Sequence, residues 1–348
     1  MAYTTIDKPT DYFNTVLYTG TGSSHAISGI GFAPDWVWIK SRSDAYAHYV
    51  FDVIRGATKQ VQTNLSDPEA TSANQLTSFD SDGFTLGTDV VTNGSSKTFV
   101  SWNWLAGGSA SSNSDGDTNT SVSANTTSGF SIVKWTGDGG ATTLGHGLGA
   151  VPKWILVKTL DRSENWVVYH VGNDATAPED KSIRLDGTNA VQDNATHFND
   201  TAPTSSVFSV GASNGVNPDG EDQIAYCFAE KKGYSKFGSY EGNGNNDGTF
   251  VYTGFKPAWV VTKSIDTTSH WNCKDNKRST FNTVDDYHKL NEPTAEDTGV
   301  SSHAMDFLSN GFKHRGNNDE VNGSETYIYM AFAESPFVSS GGIPTTAR

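Results

Sequence analysis

The decapeptide Gly31–Lys40, "GFAPDWVWIK", is written three times in this chain. Residues 149–158 read "GAVPKWILVK" and residues 254–263 read "GFKPAWVVTK". Pro34, Pro152 and Pro257 therefore each stand two residues before Trp36, Trp154 and Trp259, and six before Lys40, Lys158 and Lys263. Proline fixes φ and has no N–H, which suits the start of a strand after a glycine-bearing turn. The run that follows is β-branched and aromatic. Alternation puts Trp36, Trp38 and Lys40 on one face and Val37 and Ile39 on the other.

Further landmarks keep register with the prolines. "YTG" (18–20), "WTG" (135–137) and "YEG" (240–242) precede them by a nearly constant interval. Downstream, Phe84, Phe208 and Phe312 are each followed 20 residues later by an aromatic, Trp104, Phe228 and Phe332. Those aromatics lie in strand-like runs, in which Val100, Trp102 and Trp104 share a face, as do Ile224, Tyr226 and Phe228, and Ile328, Met330 and Phe332. The proline-to-proline distances, 118 and 105 residues, exceed a solenoid repeat of about 20–50, so each copy is expected to be a self-contained domain.

Composition agrees with strands. Only 18% of the 348 residues are charged, and 35 Gly accompany 9 Trp, 13 Tyr and 18 Phe. The expected fold is all-β: three tandem β-sandwich repeats of jelly-roll or concanavalin-like type, with roughly seven to nine strands each. The boundaries are a first repeat with a short N-terminal arm at 1–105 and a Gly/Ser/Thr/Asn-rich linker at 106–129. A second repeat follows at 130–232, a third at 233–338, and an extended tail at 339–348. The expected core anchors are Pro34, Trp36, Trp104, Pro152, Trp154, Phe228, Pro257, Trp259 and Phe332.

A net charge of -15 repels phosphate backbones and anionic lipid, so nucleic acid is not an expected partner. The opening "MAYTTIDKPTDYF" carries no secretion signal, and no run of about 18 apolar residues suggests a membrane span. Synthesis in a cytoplasm is expected. The two cysteines, Cys227 and Cys273, read as packed thiols, although a disulfide between them stays open.

Motifs for nucleophile elbows, zinc proteases, phosphate loops and Cys-x-x-Cys redox sites do not occur. His146 in "GHGLG" reads as a turn residue. "NGNNDGT" (243–249) begins like a calcium loop at Asn245, Asp247 and Gly248, but Asn243 and Gly254 occupy positions that need carboxylates. "SDGD" (114–117) and "DSDG" (80–83) read as turns. No catalytic, cofactor or metal residue is assigned. The sharper polar feature lies 18 residues after each proline: Asp52 with Arg55, and Asp275 with Arg278, but His170 in the middle copy. These pairs are expected to brace turns, with a polar ligand contact as the alternative.

Together the motifs "FDVIRGATK", "FDSDGFTLG", "FSIVKWTGDG", "IAYCFAEK", "TFVYTGFKPAWVVTK" and "MAFAESPFVSSGGIPTTAR" resemble a family of marine bacteriophage virion proteins, built from a repeated domain of unknown function and described as tail-fibre or structural proteins. The resemblance covers nearly the whole chain. It implies a virion component, on tail or capsid surface, with a lectin-like sandwich fold, and it carries no catalytic residues over. The expected partners are other phage virion proteins, further copies of the chain in a homo-oligomer, most simply a trimer, and host cell-surface glycan. The first repeat begins within about fifteen residues of the start, which a fibre with a separate anchoring domain would not show. Capsid decoration is therefore the alternative to a receptor-binding tail fibre, and a glycan-degrading enzyme is the weaker third reading, because no carboxylate pair recurs.

Overall fold

The computed structural model describes residues 3–346. Strands account for 42% of the chain and helices for 5%, the only α-helices among the described residues being the single turns Val90–Asn93 and Ala195–Phe198. The chain is all-β, as its composition predicts.

Each Pro-x-Trp run is a central strand. Trp36–Ser41 lies between Thr98–Trp104 and Tyr49–Asp52, with Phe13–Thr19 beyond the former and Lys59–Gln62 beyond the latter. Pro152–Thr159 lies likewise between Asp222–Ala229 and Val167–His170, and Phe255–Ser264 between Thr326–Pro336 and Asn272–Asp275. The registers coincide: Trp36 pairs with Trp104, Trp154 with Phe228, and Trp259 with Phe332. A smaller sheet accompanies each of these large ones. They are His25–Ser28 with Gly83–Leu86 and Leu76–Asp80, then Thr142–Gly145 with Val207–Val210, then Phe250–Tyr252 with Gly311–His314 and Met305–Leu308.

The alternation read from the sequence divides two cores. In the N-terminal segment Val37 and Ile39 pack with Ile27, Phe84 and Leu86 of the small sheet. Similar clusters fill the middle segment around Ile155, Val157 and Phe208, and the C-terminal segment around Val260, Phe307 and Phe312. The opposite faces, with Trp36, Trp38, Trp102, Trp104, Trp154 and Trp259, belong to one cluster shared by all three segments. At its middle the rings of Trp104, Phe228 and Phe332 touch pairwise, with centroids 6.3, 5.7 and 5.7 Å apart, all edge-on.

This corrects the expectation of self-contained domains. All nine expected anchors are buried, but the aromatic ones cover one another across segment boundaries. A segment standing alone would expose an apolar face carrying several tryptophans, each worth roughly 3 kcal/mol or more of burial.

Two expected boundaries also shift. Residues 106–129 are not a free linker: Ser111–Asn113 and Thr120–Asn125 are strands that extend the middle sheet, and Val122 is buried in its core. Alternating small and β-branched residues suffice for a strand when a neighbour supplies the ladder. The tail is not extended either. Ser339 N–H donates to the Ile343 carbonyl, Thr345 N–H to Phe337, and the Asp7 carboxylate accepts from Ser340 N–H. The N-terminal arm lies beside it, with the Tyr3 hydroxyl on the Gly254 carbonyl, the Thr4 hydroxyl on Lys232, and Ile6 in the shared core. Residues 1–2 and 347–348 of the expected arms fall outside the described residues.

Candidate functional site

The residues that recur at fixed distance from each proline meet at the seams between segments. Eight residues after each proline, a main-chain carbonyl accepts from a neighbouring segment: Arg42 from Glu296 N–H, Leu160 from Glu69, and Ile265 from Val191, at 2.9, 2.8 and 2.9 Å. Fourteen residues after, a ring nitrogen faces the carbonyl of the last residue in a neighbouring strand. Trp166 donates to Gln62 and Trp271 to Arg184, both at 2.8 Å, and His48 Nε2 lies 3.1 Å from the Lys289 carbonyl. Each set runs from middle to N-terminal segment, from C-terminal to middle, and from N-terminal to C-terminal. The contacts close a ring.

The Asp–Arg pairs belong to the same seams. Asp52 accepts from the backbone N–H groups of Ile54 and Arg55 and from Arg55 Nε, which braces its turn. Its remaining lone pair takes the Tyr226 hydroxyl of the middle segment at 2.7 Å. Asp275 binds Lys277 N–H, Arg278 N–H and Arg278 Nε in the same way, and takes Trp102 Nε1 of the N-terminal segment at 3.0 Å. All four charged residues are buried to within a few per cent at the side chain. Burial opposes the charge of both arginines, but the adjacent carboxylates outweigh it and hold both guanidinium groups more firmly protonated than usual.

The middle segment's departure now has a reason. Tyr226 and Trp102, which donate to the two aspartates, precede Phe228 and Trp104 by two residues; in the C-terminal segment that position is Met330, which has no proton to donate. A buried aspartate facing it would lack its seam partner. His170 instead accepts Gly172 N–H on Nδ1 at 3.0 Å, bracing the same turn, and its Nε2 reaches the Tyr329 carbonyl at 3.1 Å. Burial pushes its pKa down to about 3, so the ring stays neutral.

Lys40, Lys158 and Lys263, six residues after the prolines, are fully buried. Lys158 Nζ donates to the carbonyls of Thr159, Glu164 and, across the seam, Ser66. Lys263 Nζ donates to Ser264 and, across the next seam, to Thr188. Lys40 Nζ donates to Ser41 and Asp44. Burial pushes their pKa values down to about 7, 8 and 7 for Lys40, Lys158 and Lys263.

The remaining sequence candidates make local contacts. Cys227 and Cys273 are free thiols in separate cores, raised in pKa by burial, so no disulfide joins them. His146 caps its own turn, accepting Leu148 N–H on Nδ1. In the 243–249 loop, Asn243 and Asn245 brace successive N–H groups and Asp247 pairs with Lys313 at 2.8 Å. Asp82 of "DSDG" accepts from Gly29 and Gly31, and Asp117 of "SDGD" exchanges hydrogen bonds with Thr143. Among the described residues no three His, Cys, Asp or Glu side chains are grouped to hold a metal, and no helix is long and apolar enough to cross a membrane.

The recurrence of Lys at six and a ring nitrogen at fourteen residues past proline was present in the sequence. Their cross-seam partners were not, because Ser66, Thr188, Gln62, Arg184 and Lys289 lie on other segments. The chain belongs to the family whose model is described as "Domain of unknown function (DUF7483)", which matches residues 8–336 as one unit spanning all three segments. Neither a curated protein nor a solved structure matches this chain.

Proposed function

We propose that this protein is a structural component of a bacteriophage particle, displayed on the tail or capsid surface, where it recognises host-surface glycan without catalysing a reaction. On this reading the three segments are copies of one two-sheet sandwich of jelly-roll or lectin-like type, turned about the Trp104–Phe228–Phe332 contact. The observation that carries the reading is the ring itself. Three large sheets each turn one face to a single aromatic core, with buried latches at each seam and the small sheets packed on the opposite faces. Such a body presents several similar outer faces at fixed spacing, which raises avidity for a repeated surface without needing tight single sites. The motif resemblance to virion proteins supports the same setting.

A buried aromatic core also removes one variant of the idea. The Pro-x-Trp tryptophans are inaccessible, so glycan contact falls to loops and seams. The internal ring bears on stoichiometry as well: one chain already supplies three outward faces, and a homotrimer would supply nine.

Capsid decoration is the second reading, favoured by the paired arms. Tyr3, Tyr252 and Phe337 cluster where the two termini meet, with Tyr252 and Ile343 largely exposed. That patch suits docking on a neighbouring virion protein. Immunogold labelling of purified particles tests both: tens of copies on the tail fit the first, hundreds on the head fit the second, and no label on particles contradicts both. A glycan-degrading role would require turnover of an oligosaccharide by the purified chain.

A further inference from the structure

The three small sheets correspond position by position, so each serves as a control for the others. Opposite Phe84, Phe208 and Phe312 stand Ile27, Leu144 and Val251, all buried. The residues on either side of these three point to the outer face of the small sheet. They are Ala26 and Ser28 in the N-terminal segment, Thr143 and Gly145 in the middle one, and Phe250 and Tyr252 in the C-terminal one. Only the last pair is aromatic. Phe250–Tyr252 is an edge strand fed by the 243–249 loop, and the two residues are 42% and 53% exposed.

Both rings lie down on glycines. A Cβ at Gly311 would come within 3.2 Å of Phe250 Cε2, and one at Gly254 within 3.7 Å of Tyr252 Cε1. A ring with one face on the sheet and the other in water is about half exposed, as these are. Covering glycine does not require them, because Gly83 fills the Gly311 position in the N-terminal segment with Ser28 opposite. The Tyr252 hydroxyl donates to the Tyr3 oxygen at 3.1 Å, the Tyr3 proton going to the Gly254 carbonyl at 2.9 Å. That fixes the tyrosine ring and leaves its oxygen free to accept. Beside Phe250, Lys313 gives one proton to Asp247 at 2.8 Å and keeps two more, and the Asp247 side chain is 80% exposed.

We propose that Phe250 and Tyr252 form a stacking platform for a neutral, pyranose-containing glycan, with Lys313 and Asp247 binding hydroxyls of the sugar on Phe250. This rests on the reading of the protein as a glycan-recognising surface component and names its site. The face of an aromatic ring is negative and draws the polarised C–H bonds on the apolar face of a pyranose, while the sugar hydroxyls project sideways to polar neighbours. Residues two apart on a strand are roughly 6.6 Å apart, so the two rings serve adjoining units of an oligosaccharide. A net charge of -15 disfavours acidic sugars. On this face alone, area argues against a protein as the occupant. Phe and Tyr bury about 150–250 Å² each, so the half-exposed pair offers roughly 200 Å², against about 800 Å² per partner in a stable interface. The rest of the face carries Lys313 and Asp306 in one row and Gly311 and Leu308 in the next.

The test is ligand-observed saturation-transfer NMR on the full chain with cellobiose, lactose, maltose and chitobiose, and with sorbitol as an acyclic control. At least one disaccharide should bind with a Kd on the order of 1 mM, with transfer strongest on the C–H protons of one ring face, and sorbitol should give none. Phe250→Ala and Tyr252→Ser should each weaken binding about tenfold. The unfolding midpoint should stay unchanged, because the N-terminal segment carries Ala26 and Ser28 at these positions. Phe250→Trp, which restores a ring, should keep the affinity. No transfer from any of the four sugars, or transfer indifferent to both truncations, overturns the platform. Loss of particle incorporation by the double variant, with no sugar bound by the wild type, would give the face to a virion protein instead. Adhesion to host cells separates the two levels. Equal adhesion by wild type and the double variant defeats the platform and leaves glycan recognition standing, whereas no adhesion by wild type defeats both.

Discussion

Replacing Tyr226 by phenylalanine removes one oxygen from the seam between the N-terminal and middle segments. That hydroxyl donates to Asp52 Oδ2 at 2.7 Å in a fully buried setting, and hydrogen bonds to charged groups are worth about 1.5–3 kcal/mol. Asp52 keeps Arg55 and two backbone N–H groups, so Tyr226→Phe should cost about 2 kcal/mol. Asp52→Ala should cost more, about 3–5 kcal/mol, because it takes the nearest carboxylate from the buried Arg55 guanidinium and leaves only Glu69, at 3.4 Å, to balance it. In the Asp52→Ala background Tyr226→Phe should then cost about 1 kcal/mol less than it does alone. Urea unfolding followed by tryptophan fluorescence measures all four proteins of the cycle. Additivity within about 0.3–0.5 kcal/mol would show that the two side chains do not meet across a seam, and the ring of latches would lose its best-defined member.

Other consequences follow from the same contacts. His170→Asp should destabilise by about 3 kcal/mol or more, since the new carboxylate faces Met330 with no arginine beside it, and adding Met330→Tyr should recover part of the loss in the same urea assay. Trp104→Ala or Phe332→Ala should each cost about 3–5 kcal/mol, read as a shift in the unfolding midpoint. The buried lysines set a pH dependence: folding lowers the pKa of Lys40, Lys158 and Lys263 from 10.5 to about 7, 8 and 7, so the unfolded chain binds more protons between those values and 10.5. Stability should rise with pH across that window, by up to about 1.4 kcal/mol per pH unit for each lysine, and fall as pH drops through 8 to 7. Lys263→Met should flatten the slope between pH 7 and 9.5. For assembly, light scattering on the purified chain should give three times 37.3 kDa if the expected homotrimer forms, and 37.3 kDa if the internal ring suffices.

Strand identity and the division of faces were legible in the sequence because they are local. The alternation in "DWVWIK" separates Trp36 and Trp38 from Val37 and Ile39 correctly, whereas the pairing of Trp36 with Trp104, 68 residues away, was not legible. What each face meets was not legible. A tryptophan that faces a second sheet of its own segment and one that faces two other segments leave the same pattern, because burial sets hydrophobicity whatever does the burying. The same holds for Asp52, Arg55, Asp275 and Arg278, whose turn-bracing role is local and visible, while Tyr226 and Trp102 lie 174 and 173 residues away from their aspartates. The stretch 106–129 reads as a linker because its strands are mainly serine, threonine and asparagine: Ser111–Asn113 is the edge of the sheet, and Thr120–Asn125, paired on both sides, buries Val122 but gains most of its order from the ladder.

One aromatic core binds the three β segments into a single cooperative body. Differential scanning calorimetry of the full chain tests it directly. One transition with a calorimetric-to-van't Hoff enthalpy ratio near one is the expected result; three resolved transitions, or a ratio near three, would mean that the segments fold independently and that the shared core does not hold them together.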